Sequence, residues 1–219
     1  MVVPRPKRQL IDRDDVARAA LAIIDADGLN ALNLERIAEE LGVRAPSLYH
    51  HFKDKQAILA FTASRIITDA RIPPDLPTHL TSEWLVQTVT ALRMEILRHP
   101  NAVPLLVSHF PRRLLTPAFD RMSERLETFG VPLELHLMIF EGMERLLLGS
   151  AIAAAARLSD ASSEDELAAD PQRHPHLDRA LHANPWNEEQ LFAETLRRFL
   201  HGAIGTAPTA AAEPPSARV

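Results

Sequence analysis

Between Asn33 and Lys55 the chain gathers the side chains best suited to chemistry: Arg44, Ser47, Tyr49, His50, His51 and Lys55, set around the apolar Leu48 and Phe52. Guanidinium, hydroxyl, imidazole and ammonium groups are donors for phosphate oxygens and base edges. Leu34–Leu41 and Pro46–His51 read as two short helices joined by a tight turn at Gly42. A helix that enters the DNA major groove must be polar outside and apolar inside. The second helix meets that demand, with Leu48 and Phe52 pointing in and Ser47, Tyr49, His50 and His51 pointing out. A plain helical hairpin with a Gly-containing turn is the alternative at this point.

The other dense group is His174-Pro175-His176 with His182. The proline breaks regular helical spacing and no H-E-x-x-H pattern appears, so these read as histidines of a solvated loop. Ser108 and Ser150 stand outside any nucleophile-elbow context. The sequence therefore points to a binding protein rather than an enzyme, and it calls for no cofactor and no metal. The rivals are a helical enzyme and a helical interaction module without DNA, and the second leaves the polar outer face of Pro46–His51 unexplained.

The elements that must position these groups are helical. Gly is scarce at 7 of 219 residues and Tyr and Trp are scarcer, while Ala, Leu, Glu and Arg abound. With 46 % apolar and 24 % charged residues the chain can bury a substantial core. The absence of cysteine excludes a disulfide scaffold and suits a reducing cytoplasm. Met1–Leu10 lacks an apolar core of the signal-peptide kind, and the apolar stretch Leu146–Ala156 is too short to span a bilayer, so a cytoplasmic protein without a membrane partner is expected. The net charge of -5 is unevenly spread: residues 1–55 hold nine Lys/Arg against nine Asp/Glu, and the rest holds fifteen against twenty. Arg5, Lys7 and Arg8 meet no acid in the first ten residues, which is either a basic footprint on an acidic body or a solvated polar tail.

Caps and apolar periodicity place the helices. Asp12 caps a first helix whose face is Val16, Ala19, Ala20, Ile23 and Ile24, ending at Gly28. Asn33 caps the second, and Asp54 caps a helix through Ile58, Leu59, Phe61, Ile66 and Ile67. Thr81 or Ser82 caps a helix through Trp84, Leu92 and Leu97, a short helix covers Val103–His109, and Thr116-Pro117 reads as a cap with a first-turn proline. A long helix runs from Pro132 to about Leu158, residues 159–185 read as a loop with a short helix at Leu177–His182, and Asn187 starts the last helix. No period-two pattern appears, and the class is all-α. The expected organisation is a flexible basic arm (1–10), a helix-turn-helix head (11–55), a connecting helix (56–72), a ligand-binding and dimerisation domain (73–205) and a disordered tail (206–219).

Leu48-Tyr49-His50-His51-Phe52-Lys53-Asp54-Lys55 resembles the recognition-helix signature of the tetracycline-repressor (TetR) family, and Leu34–Val43 resembles the segment before it. The resemblance runs in register over about residues 11–60. It implies a homodimeric DNA-binding regulator, with two N-terminal heads on a near-palindromic operator and a divergent helical core that binds an inducer. Arg44, Ala45, Ser47 and His50 then occupy the positions that face base edges, next to Pro46. Arg44 can bond a guanine bidentately or a phosphate. Tyr49 matches a tyrosine whose hydroxyl meets a phosphate, and its ring can also pack beside the helix. His51 matches a backbone-contacting histidine, and Lys55 can meet a phosphate at its helix start or stay solvated. The start of the second helix departs from the family pattern: it is Asn33-Leu34-Glu35, and Glu35 can pair with Arg36 or Arg44 or accept from a cytosine amine. The C-terminal half resembles the tetracycline-repressor branch only loosely. Arg71 and Leu106 stand where its ligand-binding histidines would be, so tetracycline is not the expected ligand.

A pocket for a small amphipathic or aromatic ligand is expected from Ile67, Trp84, Thr88, Leu92, Phe110, Phe119, Met122, Phe140, Met143 and Glu144. Glu144 can receive a ligand amine or pair at the surface. The long helix is apolar around much of its circumference. Its line Leu135, Gly142, Leu146, Gly149 and Ala153, with Leu191, Thr195 and Phe199 of the last helix, is expected to form a four-helix dimer interface; an ordinary intrachain core is the alternative.

Overall fold

The computed structural model describes residues 11–159 and 169–205. The basic arm, the tail after Gly205 and part of the long loop lie outside the described residues. The helices are α1 (Arg13–Asp27), α2 (Leu34–Glu40), α3 (Lys55–Thr68), α4 (Thr81–Leu97), α5 (Val103–Ser108), α6 (Arg112–Thr128), α7 (Leu133–Ser159), α8 (Pro175–Ala183) and α9 (Glu188–Gly205). Short 3-10 segments cover Leu29–Ala31, Ala45–His50, Thr78–Leu80 and Pro100–Ala102, and the described residues contain no strand.

Side-chain caps start the helices. Asp12 and Asp15 form a reciprocal box, each carboxylate accepting the other's backbone N–H at 2.8 and 2.9 Å. The Asp12 backbone N–H, followed by the Arg18 guanidinium, holds the Asp15 carboxyl below its ordinary value. Asn33 accepts from Arg36 N at 2.8 Å, Asp54 from Ala57 N at 2.7 Å, and Asn187 from Gln190 N at 2.9 Å.

Three elements differ from the sequence expectation. Ala45–His50 is a 3-10 segment rather than an α-helix from Pro46. Pro46 has no N–H to donate, and Ser47 N donates to Arg44 O, three residues back, at 2.8 Å. Thr81 is already helical and does not cap α4; its hydroxyl donates to Thr78 O at 2.6 Å, because the 3-10 turn Thr78–Leu80 leads directly into the helix. Thr116-Pro117 does not begin α6, which starts at Arg112 and carries Pro117 inside it. The proline removes a bond to the Arg113 carbonyl, and Arg113 is exposed, so water can take that acceptor.

The chain falls into two compact units. The first takes the residues up to Ala70 with Met94–Leu114 and Ala151–Leu158. In it α1 packs on α3 and on the Pro100–Ala102 turn, burying Val16, Ala20, Ile24, Ile58, Ala63 and Ile66. Each fully buried Val or Ile contributes roughly 1.5–3 kcal/mol. Polar ties fix the end of α1: His99 Nδ1 lies 2.8 Å from Asp25 Oδ2, and Asn101 Nδ2 donates to Asp25 O at 2.8 Å.

The second unit takes Arg71–Arg93, Leu115–Ser150 and the residues from Ser159 on. Arg93 of α4 is its polar tie: buried, it donates to Ser150 Oγ of α7 at 3.1 Å and to Glu188 Oε1 of α9 at 2.5 Å, and stacks over Phe192 at 5.0 Å. Buried His136 is fully engaged, with Nδ1 2.6 Å from Ser123 Oγ and Nε2 3.0 Å from Val131 O. Nε2 therefore donates to the carbonyl, and Nδ1 accepts from the serine. Gly142 of α7 faces the tip of the Phe199 ring of α9; a Cβ there would come within 2.1 Å of Phe199 Cζ.

Candidate nucleic-acid interface

The turn between α2 and the Ala45–His50 segment is built on Gly42, whose φ of 64° is the left-handed value that glycine adopts without strain. Gly42 N donates to Glu39 O at 3.0 Å and Val43 N to Ala38 O at 2.9 Å. This pair of bonds is the Schellman closure of α2, and it turns the chain sharply into the next segment.

A 3-10 segment places residues three apart in one row. Here one row is Ala45, Leu48 and His51, with Leu48 buried and the other two half-buried. The second is Pro46 and Tyr49, both exposed, and the third is half-buried Ser47 with exposed His50. Tyr49 is 55 % exposed, which is far from the packed alternative for its ring. His51 shares the inner row rather than the outward face expected for it, a consequence of the three-residue period. The Leu48 carbonyl accepts from both His51 N and Phe52 N at 3.0 Å, closing the segment onto Phe52. Phe52 is buried, meets Phe61 edge-on at 5.6 Å, and carries the Arg13 guanidinium 4.6 Å above its ring. Inner-row packing thus fixes the segment and leaves the hydroxyl of Tyr49 and the imidazole of His50 outside.

Arg44, at the start of the segment, is exposed and makes no ion pair with the described residues. Lys55 is exposed, and its Nζ donates to Leu32 O at 2.6 Å. One of its three donors therefore ties α3 to the loop before α2. Asn33 is exposed, with its side-chain oxygen occupied by the α2 cap. Glu35 is exposed in the first turn of α2. It is not the partner of Arg36, which pairs with Asp27. Lys53 is a cation beyond the residues expected from the sequence. It is exposed, with Asp54 Oδ2 3.8 Å away, and its position between the buried Phe52 and the Asp54 cap is the signal that could have found it.

The residues expected to meet a ligand divide between the units. Trp84, Thr88, Met122 and Met143 are buried and Leu92, Phe119, Phe140 and Glu144 half-buried in the second unit, where the Phe119 and Phe140 rings lie 5.2 Å apart. Ile67 is buried and Phe110 half-buried in the first. Of the residues expected at a dimer interface, Gly142 and Phe199 contact one another within the chain. Gly149, Ala153, Leu191 and Thr195 are exposed, and Leu135 and Leu146 are half-buried. Among the described residues no helix is long and apolar enough to cross a membrane.

Residues 17–60 match the family model of bacterial regulatory proteins of the tetR family. The tetracycline repressor protein class E of Escherichia coli is 26 % identical over 144 residues, 64 % of this chain and 66 % of that protein. The match thus spans just under two thirds of that relative's length. The Streptomyces coelicolor TetR family protein ActR, solved in complex with actinorhodin, superposes with a TM-score of 0.75 at 22 % identity over 94 % of this chain and 100 % of its own. BioQ with its natural double-stranded DNA operator superposes with a TM-score of 0.60 at 23 % identity over 86 % of this chain and 99 % of its own. At these identities the two likenesses show the fold.

Proposed function

We propose that this chain, which belongs to the TetR family of bacterial regulatory proteins, is a homodimeric repressor that binds a near-palindromic DNA operator and releases it when a small amphipathic or aromatic ligand binds. The observation that carries the reading is the Ala45–His50 segment: an apolar inner row holds it on the head, and Tyr49 and His50 stand exposed beside Arg44. Arg44, Pro46, Ser47 and His50 face base edges, with Ala45 and His51 on the inner row behind them. Tyr49 and Lys55 take phosphates, joined by Lys53, while Asn33 and Glu35 border the groove. Related folds support both halves, since BioQ is seen with a DNA operator and ActR with actinorhodin. The chain acts in the cytoplasm, by binding and not by catalysis.

A near-palindromic operator needs two heads. Exposed apolar residues on the two expected interface helices, Leu133, Leu137 and Met138 of α7 and Leu191 of α9, support a second copy as the cover. Gly149→Trp then yields a monomer in sedimentation, and a monomeric wild type would overturn the dimer. The ligand acts by population shift, binding the state that cannot hold DNA more tightly than the state that can.

The test is selection of binding sites from random duplexes, followed by gel shifts on the enriched site. Two symmetric half-sites roughly one helical turn or more apart are expected. Lys55→Ala weakens all sequences and lowers the salt slope by about one unit, while Arg44→Ala relaxes preference at one base pair. Unchanged affinity in both Lys55→Ala and Tyr49→Phe would remove the Ala45–His50 segment from the groove.

A further inference from the structure

Four buried side-chain polar atoms among the described residues have no hydrogen-bond partner: Trp84 Nε1, Thr88 Oγ1, Thr90 Oγ1 and Arg125 Nε. Three of them belong together. Trp84 and Thr88 are one turn apart on α4 and share a face. Arg125 of α6 lays its guanidinium over the Trp84 ring, 4.6 Å from the centroid. Thr90 falls on another face of α4.

Each of the three can donate, and the indole and guanidinium N–H groups can do nothing else. A buried tryptophan N–H ordinarily finds an acceptor. Thr88 has one in its own helix, the carbonyl four residues back, and does not take it. Thr62, Thr128 and Thr195 do take theirs, at 2.9, 2.8 and 2.7 Å. Arg125 also brings a charge. Arg18, Arg36, Arg65, Arg93, Arg98, Arg145, Arg197 and Arg198 all pair with carboxylates. Arg125 pairs with none of the described carboxylates; its Nη2 donates to the Leu76 carbonyl at 2.5 Å, and its Nε is left over.

We infer that Trp84, Thr88 and Arg125 form a subsite for an organic carboxylate, the charged end of the small ligand proposed above; the inference rests on that reading of the core. A carboxylate offers two oxygens with room for several donors, so it can accept from the indole, the hydroxyl and the guanidinium Nε–H and neutralise Arg125. A neutral amide supplies an acceptor and leaves the charge uncompensated, and an amine is repelled.

The test uses benzoate, 1-naphthoate and 9-anthracenecarboxylate, each beside its primary amide, on the full chain carrying Trp186→Phe so that Trp84 is the one tryptophan left of two. Binding is read by calorimetry and by Trp84 emission. At least one acid is expected to bind about ten-fold more tightly than its amide, the size of one charge-assisted bond, and to shift the emission. Arg125→Gln abolishes the preference, and Thr88→Val, which keeps the shape of the side chain, weakens the acid several-fold and the amide less. Equal binding of every acid and amide at millimolar concentration would overturn the subsite, as would a preference that survives Arg125→Gln in a variant with a wild-type circular dichroism spectrum. Gel shifts on the same preparations separate this from the regulatory reading. Acid preference without DNA binding leaves the subsite standing and removes the repressor, and DNA binding without acid preference does the reverse.

Discussion

Thr62 on α3 and Thr88 on α4 are both buried in helix interiors, and they spend their hydroxyls differently. Thr62 donates to the Ile58 carbonyl at 2.9 Å, while the Thr88 hydroxyl has no partner. The difference extends to the neighbourhoods. Around the head, polar groups are consumed by structure: Asn33 and Asp54 cap helices, Lys55 holds Leu32 O, and Asp25 holds His99 and Asn101. What remains for a partner stands exposed, at Arg44, Tyr49 and His50. Around Trp84 the spare donors are buried instead. A surface that meets a charged polymer keeps its donors in water until contact. A site for a small molecule keeps them inside and bears the cost of leaving them unmet.

The comparison can be broken from several sides. The largest effect expected is Arg93→Ala, which removes the donors to Ser150 and Glu188 and the stack on Phe192; the loss is about 2–3 kcal/mol in urea unfolding, the size of hydrogen bonds to a charged group with the packing of the arginine stem. Gly142→Ala comes next, at roughly 1–3 kcal/mol, since its Cβ would meet the Phe199 ring at 2.1 Å. Gly149→Ala finds open space and is expected to stabilise the isolated chain by about 0.5–1 kcal/mol. The two threonines then part company: Thr62→Val costs about 1 kcal/mol, and Thr88→Val is neutral or stabilising without ligand, because it removes a donor that had nothing to bond. Equal losses at both sites would erase the contrast. The smallest effect is the α1 cap. The Asp15 carboxyl is held below its ordinary value in the folded chain, so the stability it adds is present above that ordinary value and is lost as pH falls through the lowered one. Asp15→Ala removes that acid-limb dependence in thermal melts across pH.

Much of the fold was legible because helix starts are encoded locally. Asp12, Asn33, Asp54 and Asn187 all cap the helices they announce, and Gly42 closes α2 at the turn its conformational freedom marks. Local signals also misled. Thr116-Pro117 has the form of a cap and a first turn, yet α6 runs through it, since a helix can carry a proline whose displaced carbonyl reaches water. The outward residues Tyr49 and His50 followed from polarity alone, but the placement of His51 depends on whether the period is 3.0 or 3.6, which six residues do not reveal. At Gly142 the small-residue line of α7 accommodates Phe199, a partner 57 residues away that no local signal marks. Trp84 and Thr88 stand among the residues expected at a pocket, and least legible was their grouping with Arg125. Nothing local marks a hydroxyl as unbonded, or an arginine 41 residues from a tryptophan as its stacking partner.

The central claim is that the exposed side chains of Arg44, Tyr49, His50 and Lys55 meet DNA. The most direct measurement is fluorescence anisotropy of a duplex carrying the selected site, titrated with wild type and with the Tyr49→Phe, Lys55→Ala double variant over a series of salt concentrations. Wild-type affinity is expected to fall steeply and linearly on logarithmic axes, and the double variant to bind more weakly with a slope shallower by about one unit. Superimposable lines for the two proteins, or wild-type binding indifferent to salt, would contradict it.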